Sequence, residues 1–137
     1  MEENFFLDSP YGKIRFKAYK KQAPKTVDAF FKILPVKVKF LQARFSGEEL
    51  WSKSLNIKIA PENCAVSIRL GEIGYVAPDP KNEASKHLIL IYENAKVSES
   101  INRFGIVFSK NQKSLKKLGD SIWMHGIKTL TFKKLEE

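Results

Sequence analysis

GKIRFKAYKKQAPKTVDAFFKILPVKVKF, residues 12–40, decides the fold class because its apolar period changes twice. Ile14, Phe16 and Ala18 alternate with Lys13, Arg15 and Lys17, the period of two expected of a half-buried strand. From Ala23 the apolar residues fall at Val27, Phe30, Phe31 and Leu34, one face of a helix. Pro24 suits the first helical turn, where its missing N–H is no loss, and Pro35 disfavours the helical conformation at Leu34. Alternation then resumes with Val36, Val38 and Phe40 against Lys37 and Lys39.

Outward from this strand–helix–strand unit the pattern stays mainly β. The phase slips near Leu41, after which Ala43 and Phe45 are the apolar set, as at a bulge. Leu50 to Ile59, Cys64 to Leu70, Tyr75 to Ala77, Phe104 to Phe108 and the closing Ile122 to Leu135 read as further strands. His87 to Tyr92 is apolar on both faces, the mark of a central strand. A second short helix is expected around Gln112 to Leu118, and Pro78 to Ser85 is the longest polar loop. Closely spaced strands with only two helix-length connections favour a closed barrel or a sandwich over βαβ winding. A barrel also removes exposed sheet edges. The reading is one domain over 1–137, with a core of about 12–133 and an N-terminal tail, 1–11. The Phe5-Phe6-Leu7 part of that tail could fold back on the barrel or cap an edge in a homo-oligomer.

Composition narrows the chemistry. With 24 Lys+Arg and 15 Asp+Glu the formal net charge is 24 − 15 = +9, which suits a polyanion through counterion release. The lysines are spread from Lys13 to Lys134 and many alternate with apolar residues, so a solvated basic face is the first reading. The single Cys64 excludes an intrachain disulfide and a Cys-based zinc cluster; at the start of an apolar alternation it reads as a buried, inert thiol. His87 and His125 form no metal motif, and there is no phosphate loop and no GxSxG elbow. No cofactor and no metal are expected. No apolar stretch approaches the ~18 residues of a membrane span, and the first residues lack a secretory pattern, so a cytoplasmic protein with no membrane partner is expected.

The most unusual local mixture is Gln42 to Trp51, where Arg44, Ser46, Glu48 and Trp51 fall at the end of one strand and the start of the next. Side chains on a loop rim can converge on a pocket. Arg44 would anchor a carboxylate or carbonyl, Glu48 would pair with it or accept from a ligand, and Trp51 would form an apolar wall. An Arg44–Glu48 ion pair at a turn, with Trp51 in the core, accounts for the same residues.

The order of elements resembles the cyclophilins. Ala23 to Phe31 is similar to their PKTxxNF helix opening, Tyr75 to Tyr92 to the strand–loop–strand forming one wall of their substrate groove, Asn102 to Phe108 to their HVVFGxV strand, and Ile127 to Phe132 to their last strand. A small prokaryotic cyclophilin-like family of unknown function is closer still, through its APxTxxAFxxxLP helix and ARWSGE-type strand end, here Ala23 to Pro35 and Ala43 to Glu48. The resemblance implies a closed cyclophilin-like β-barrel of about eight strands with two short helices. Among the residues that serve peptidyl-prolyl isomerisation, Arg44 matches the Arg position, but Phe45-Ser46-Gly47-Glu48 lacks the FMxQ element. The central strand offers Leu88 and Leu90 in place of a polar and Phe pair, and Asn102 or Arg103 stands near the His position. The preferred expectation is a pocket on the barrel flank, lined by Arg44, Ser46, Glu48, Trp51, Tyr75 and Tyr92, that takes a small anionic, carbonyl-bearing or peptide ligand. Peptidyl-prolyl cis-trans isomerase is the alternative, and a basic nucleic-acid-binding protein the third reading.

Overall fold

Residues 12–18 do form a strand, with Ile14, Phe16 and Ala18 turned into an apolar interior. The computed structural model describes residues 4–42, 47–52, 55, 57, 62–65, 68–76, 87–95 and 101–135. In chain order the elements are β1 (Asn4–Ser9), β2 (Gly12–Ala18), α1 (Pro24–Lys32), β3 (Val36–Gln42), β4 (Gly47–Ser52), β5 (Cys64–Ala65), β6 (Glu72–Val76), β7 (His87–Ala95), β8 (Ile101–Val107), α2 (Gln112–His125) and β9 (Lys128–Lys134). The strands lie in the order β2-β1-β9-β3-β4-β7-β6-β8, every neighbouring pair antiparallel. Pairing of β2 with β8 closes this sheet into an eight-stranded barrel, and β5 adds a ninth strand to β8. This is the mainly β, closed barrel with two helices expected from the sequence.

Chain direction places the helices at opposite ends. α1 joins the end of β2 to the start of β3, whereas α2 joins the end of β8 to the start of β9 at the other mouth. α1 closes its end with aromatic packing. Its Phe30 ring lies 4.9 Å from Phe104, 5.1 Å from Phe5 and 5.4 Å from Phe132. Such pairs add about 0.5–1.5 kcal/mol each beyond the area they bury. α2 closes the other end with Leu115, Leu118 and Ile122, and its Gly119 lies so close to the Tyr92 ring that a Cβ would meet the Tyr92 Cγ and Cδ2 at 2.5 Å.

Four details depart from the sequence reading. Residues 4–9 are not part of a tail: β1 is hydrogen-bonded on one side to β2 and on the other to β9, with the Phe5 ring stacked 5.0 Å from Phe16. β4 ends at Ser52, and Leu55 and Ile57 are buried outside any strand. β5 has two residues, and Cys64 is exposed, because pairing with Asn102 uses its backbone while its side chain faces solvent. α2 runs past Gly119 to His125, so Trp123-Met124-His125 is a last helical turn. It stops at Gly126, whose φ of 92° a side chain would oppose.

Candidate functional site

Glycine, arginine and asparagine meet where one strand serves two partners. β8 pairs with β6 along one edge, but its other edge is divided between β5 at Ile101–Asn102 and β2 at Gly105–Val107. Between them the Arg103 N–H donates to the Asn63 carbonyl at 3.2 Å, and the Phe104 carbonyl accepts from the Tyr19 N–H at 2.8 Å. Where the two strands part, polar side chains of the barrel flank come together.

Glu72, fully buried at the start of β6, is the centre of this group. Its Oε2 accepts from the Tyr19 hydroxyl at 2.7 Å and its Oε1 from the Arg69 backbone N–H at 2.7 Å. A buried carboxylate needs compensating charge, and two guanidiniums supply it at longer range: Arg69 Nη2 is 3.8 Å and Arg103 Nη1 4.0 Å from Oε2. Arg103 is half-buried and fixed, its Nε and Nη2 donating to the carbonyl and Oδ1 of Asn63 at 3.2 and 3.0 Å. Arg69 is exposed, and its Nη2 donates to the Tyr19 hydroxyl at 3.3 Å. Burial, and then the bond to Glu72, pushes the Tyr19 hydroxyl up to about 12, so it keeps its proton and remains a donor at neutral pH.

The network continues to the N-terminus of α1. Asn63 donates its N–H to Asn102 Oδ1 at 3.0 Å, and Asn102 Nδ2 donates to Thr26 Oγ1 at 2.8 Å. Thr26 donates both hydroxyl and N–H to Glu62 Oε1 at 2.7 and 2.6 Å, and Lys25 donates its N–H to Oε2 at 3.2 Å. The Ala23 side chain cannot cap this helix, so a carboxylate from another segment satisfies its first donors and its dipole. Burial works against the ionised form of Glu62, but the Thr26 hydroxyl and these N–H groups outweigh it and hold the carboxyl below its usual value.

The outer face of β4, β7, β6 and β8 is otherwise mainly apolar, with the buried Glu49 of β4 in register with Ile91 as a further carboxylate on it. Val76, Ile89, Ile91 and Ile101 form a cluster distinct from the barrel interior, with Trp51 and Ile68 packed against it. Register aligns Trp51, Ile89, Gly74 and Arg103 in one row across the four strands, which spans about 14 Å at the usual strand spacing.

Of the six residues expected to line one pocket, the three whose side chains are described do not share a face. Trp51 lies half-buried on the outer flank. Tyr75 points into the barrel and donates its hydroxyl to the buried Ile57 carbonyl at 2.8 Å. Tyr92 is also interior, under α2, its hydroxyl accepting from Gln42 Nε2 at 3.3 Å. The alternation of β6 and β7 turns both tyrosines inward. Arg44 and Ser46 lie outside the described residues, as does the Glu48 side chain. Leu88 and Leu90 belong to the interior too, so the outward residues of the central strand are Ile89 and Ile91. Sequence reasoning missed Tyr19, Glu72, Arg69 and Asn63. The available signal was a pair of opposite charges, Arg69 and Glu72, three positions apart at the entry to an apolar strand.

Residues 7–134 match the model of a family described as a protein of unknown function, DUF3830. The chain belongs to the DUF3830 family. No curated protein matches this DUF3830 chain. Its barrel resembles McbB, solved in complex with tryptophan, with a TM-score of 0.76 at 14% identity over 99% of this chain, which spans 45% of McbB. It also resembles the hypothetical protein AF2241 from Archaeoglobus fulgidus, with a TM-score of 0.66 at 15% identity over 98% of this chain and 95% of that one. A cyclophilin-type peptidyl-prolyl cis-trans isomerase from Cryptosporidium parvum gives 0.61 at 10% identity, over 100% of this chain and 99% of that one. At these identities the likeness establishes the cyclophilin-like fold. No helix among the described residues of the DUF3830 chain is long and apolar enough to cross a membrane.

Proposed function

We propose that this chain is a binding domain for a small carboxylate- or carbonyl-bearing molecule, held on the outer flank of the barrel at Arg69 and Arg103. One observation carries the reading. Two guanidiniums face one buried carboxylate at 3.8 and 4.0 Å, beyond hydrogen-bonding distance, so neither spends a donor on Glu72. The pair leaves one positive charge in excess beside a protonated Tyr19. A second oxyanion arriving there would find the Nη1 of an Arg103 held in place by Asn63, an accessible guanidinium on Arg69, and the charge-assisted bonds that make Arg–carboxylate recognition strong. Trp51 lies at the far end of the same outer row and would be the apolar wall. Arg44, Ser46 and Glu48, on the connection into β4, are proposed as further contacts on that side. The complex of the similarly folded McbB with tryptophan, a small molecule with a carboxylate, supports this class of ligand.

The test is a calorimetric and thermal-shift screen of amino acids, keto acids and their esters against the wild type and Arg69→Ala. A hit that loses affinity by about tenfold, the equivalent of one charged hydrogen bond, both in Arg69→Ala and on esterification would support the site. Ligands that bind equally well to Arg69→Ala, or equally well as esters, would refute it.

A further inference from the structure

We infer that the corner where α2 passes into β9 docks on an anionic lipid surface. This goes beyond the small-molecule reading and does not depend on it. Trp123, Met124 and Ile127 are 46%, 70% and 54% exposed, and with His125 and Gly126 they make five consecutive exposed residues. A folded chain ordinarily hides side chains of this size, and a contiguous apolar exposure marks a contact surface.

The surroundings state the chemistry of the partner. The outward stripe of α2 descends from Lys113 through Lys116 and Lys117 to Trp123 and Met124, with Asp120 its one acid. Beyond the turn, Lys128 opens β9, and Lys39 lies opposite Thr129 on the neighbouring β3. Among the described residues, α2, the turn and the paired ends of β3 and β9 carry five lysines against one acid, a balance that complements a negatively charged phase. Each Lys near an anionic leaflet is attracted to its negative surface potential, and Trp has its preferred place at the headgroup level. Met124 and Ile127 offer nothing to a phosphate or a base edge but gain from burial in an apolar medium. That favours lipid over nucleic acid. The chain would lie on the surface without spanning it, which revises the expectation that it has no membrane partner.

The experiment uses the full chain carrying Trp51→Phe, so that Trp123 alone reports. It is mixed with vesicles of phosphatidylcholine alone or containing phosphatidylglycerol. The expected result is co-sedimentation and a blue shift of Trp123 emission only with phosphatidylglycerol, weakening as salt is raised. Met124→Asp and Ile127→Asp should each reduce binding about tenfold with an unchanged melting temperature, since both residues are exposed. Lys113→Glu with Lys117→Glu should abolish the lipid preference. No binding at low salt would overturn the proposal, as would binding unaltered by Met124→Asp. So would tighter binding to a homopolymeric RNA than to the vesicles, or a solution dimer that the same substitutions dissociate, which would give the patch to a second copy.

Discussion

Gly119→Ala tests what seats α2 on the barrel. In an open helix this exchange stabilises by about 1 kcal/mol, because Ala has less backbone freedom to lose on folding. Here the added Cβ would stand 2.5 Å from the Cγ and Cδ2 of Tyr92 and 2.6 Å from its Cδ1. Carbon atoms settle at about 3.5–4.0 Å, so the ring or the helix must retreat by about 1 Å. Neither moves freely. Tyr92 is buried with its hydroxyl bonded to Gln42, and the flanking Leu118 and Ile122 of α2 are core residues. With three ring atoms approached at once, overpacking falls at the upper end of about 1–3 kcal/mol. Subtracting the propensity gain leaves about 2 kcal/mol of destabilisation, or a melting temperature lowered by about 8 °C for a domain of this size. Urea denaturation followed by circular dichroism reads the difference directly. The second arm repeats Gly119→Ala in a Tyr92→Leu background, where the flat ring is gone and the exchange should cost less than 1 kcal/mol. A Gly119→Ala protein as stable as the wild type would refute the reasoning. Equal losses in both backgrounds would do so too, because the ring would then not be the obstacle.

Other expectations follow from the network and the core. Glu72→Gln keeps the shape but removes the charge facing Arg69 and Arg103, and should lower stability by about 1–3 kcal/mol; an unchanged urea midpoint would show that the two arginines do not need it. The folded value of Glu62 lies below the unfolded one, so its contribution is complete above the unfolded value, near 4.3, and is lost as pH falls through the folded value. Glu62→Gln should therefore cost about 1 kcal/mol at neutral pH and flatten the acid limb of the stability profile, and parallel acid limbs would count against it. Phe30→Ala removes the aromatic centre of the α1 end and should cost about 3–5 kcal/mol, measured by the same denaturation. In a protease-coupled assay on an Ala-Pro peptide the chain should show no rate above background, because the outward face of β7 carries Ile89 and Ile91 where isomerisation needs a shaped proline pocket; a rate abolished by Arg44→Ala would reverse this.

What could be read from the sequence was local, and what could not was a matter of register. Val27, Phe30 and Phe31 announce α1, and the unbroken apolar run of β7 announces a strand covered on both sides, Leu88 and Leu90 within and Ile89 and Ile91 without. β1 was hidden because Phe5, Phe6 and Leu7 show no alternation: Phe5 and Leu7 face the interior, while Phe6 is outside beneath Lys13, whose Nζ lies 4.8 Å from its ring centre. The helical run of α2 reads short in the sequence because a glycine in mid-helix looks like an end, whereas Gly119 makes room for the Tyr92 ring. The site was less accessible still. Tyr19 reaches Glu72 across 53 positions and Arg103 reaches Asn63 across 40, and no spacing rule joins residues that meet only because β5 and β2 divide one edge of β8. Chemistry alone suggests a pocket for Tyr75 and Tyr92, but a one-residue phase decides which side of a strand they occupy.

The pairing of β1 with β9 also determines how this fold can be joined to others. Asn4 accepts from the Leu135 N–H at 2.9 Å, so the first and last strands finish side by side at the α1 mouth. A barrel whose entry and exit share one doorway can be spliced into a surface loop of a larger protein without prying that loop apart. It can equally be circularly permuted with a short peptide across the doorway and new ends opened elsewhere. The α2 mouth would stay clear of the host in either arrangement.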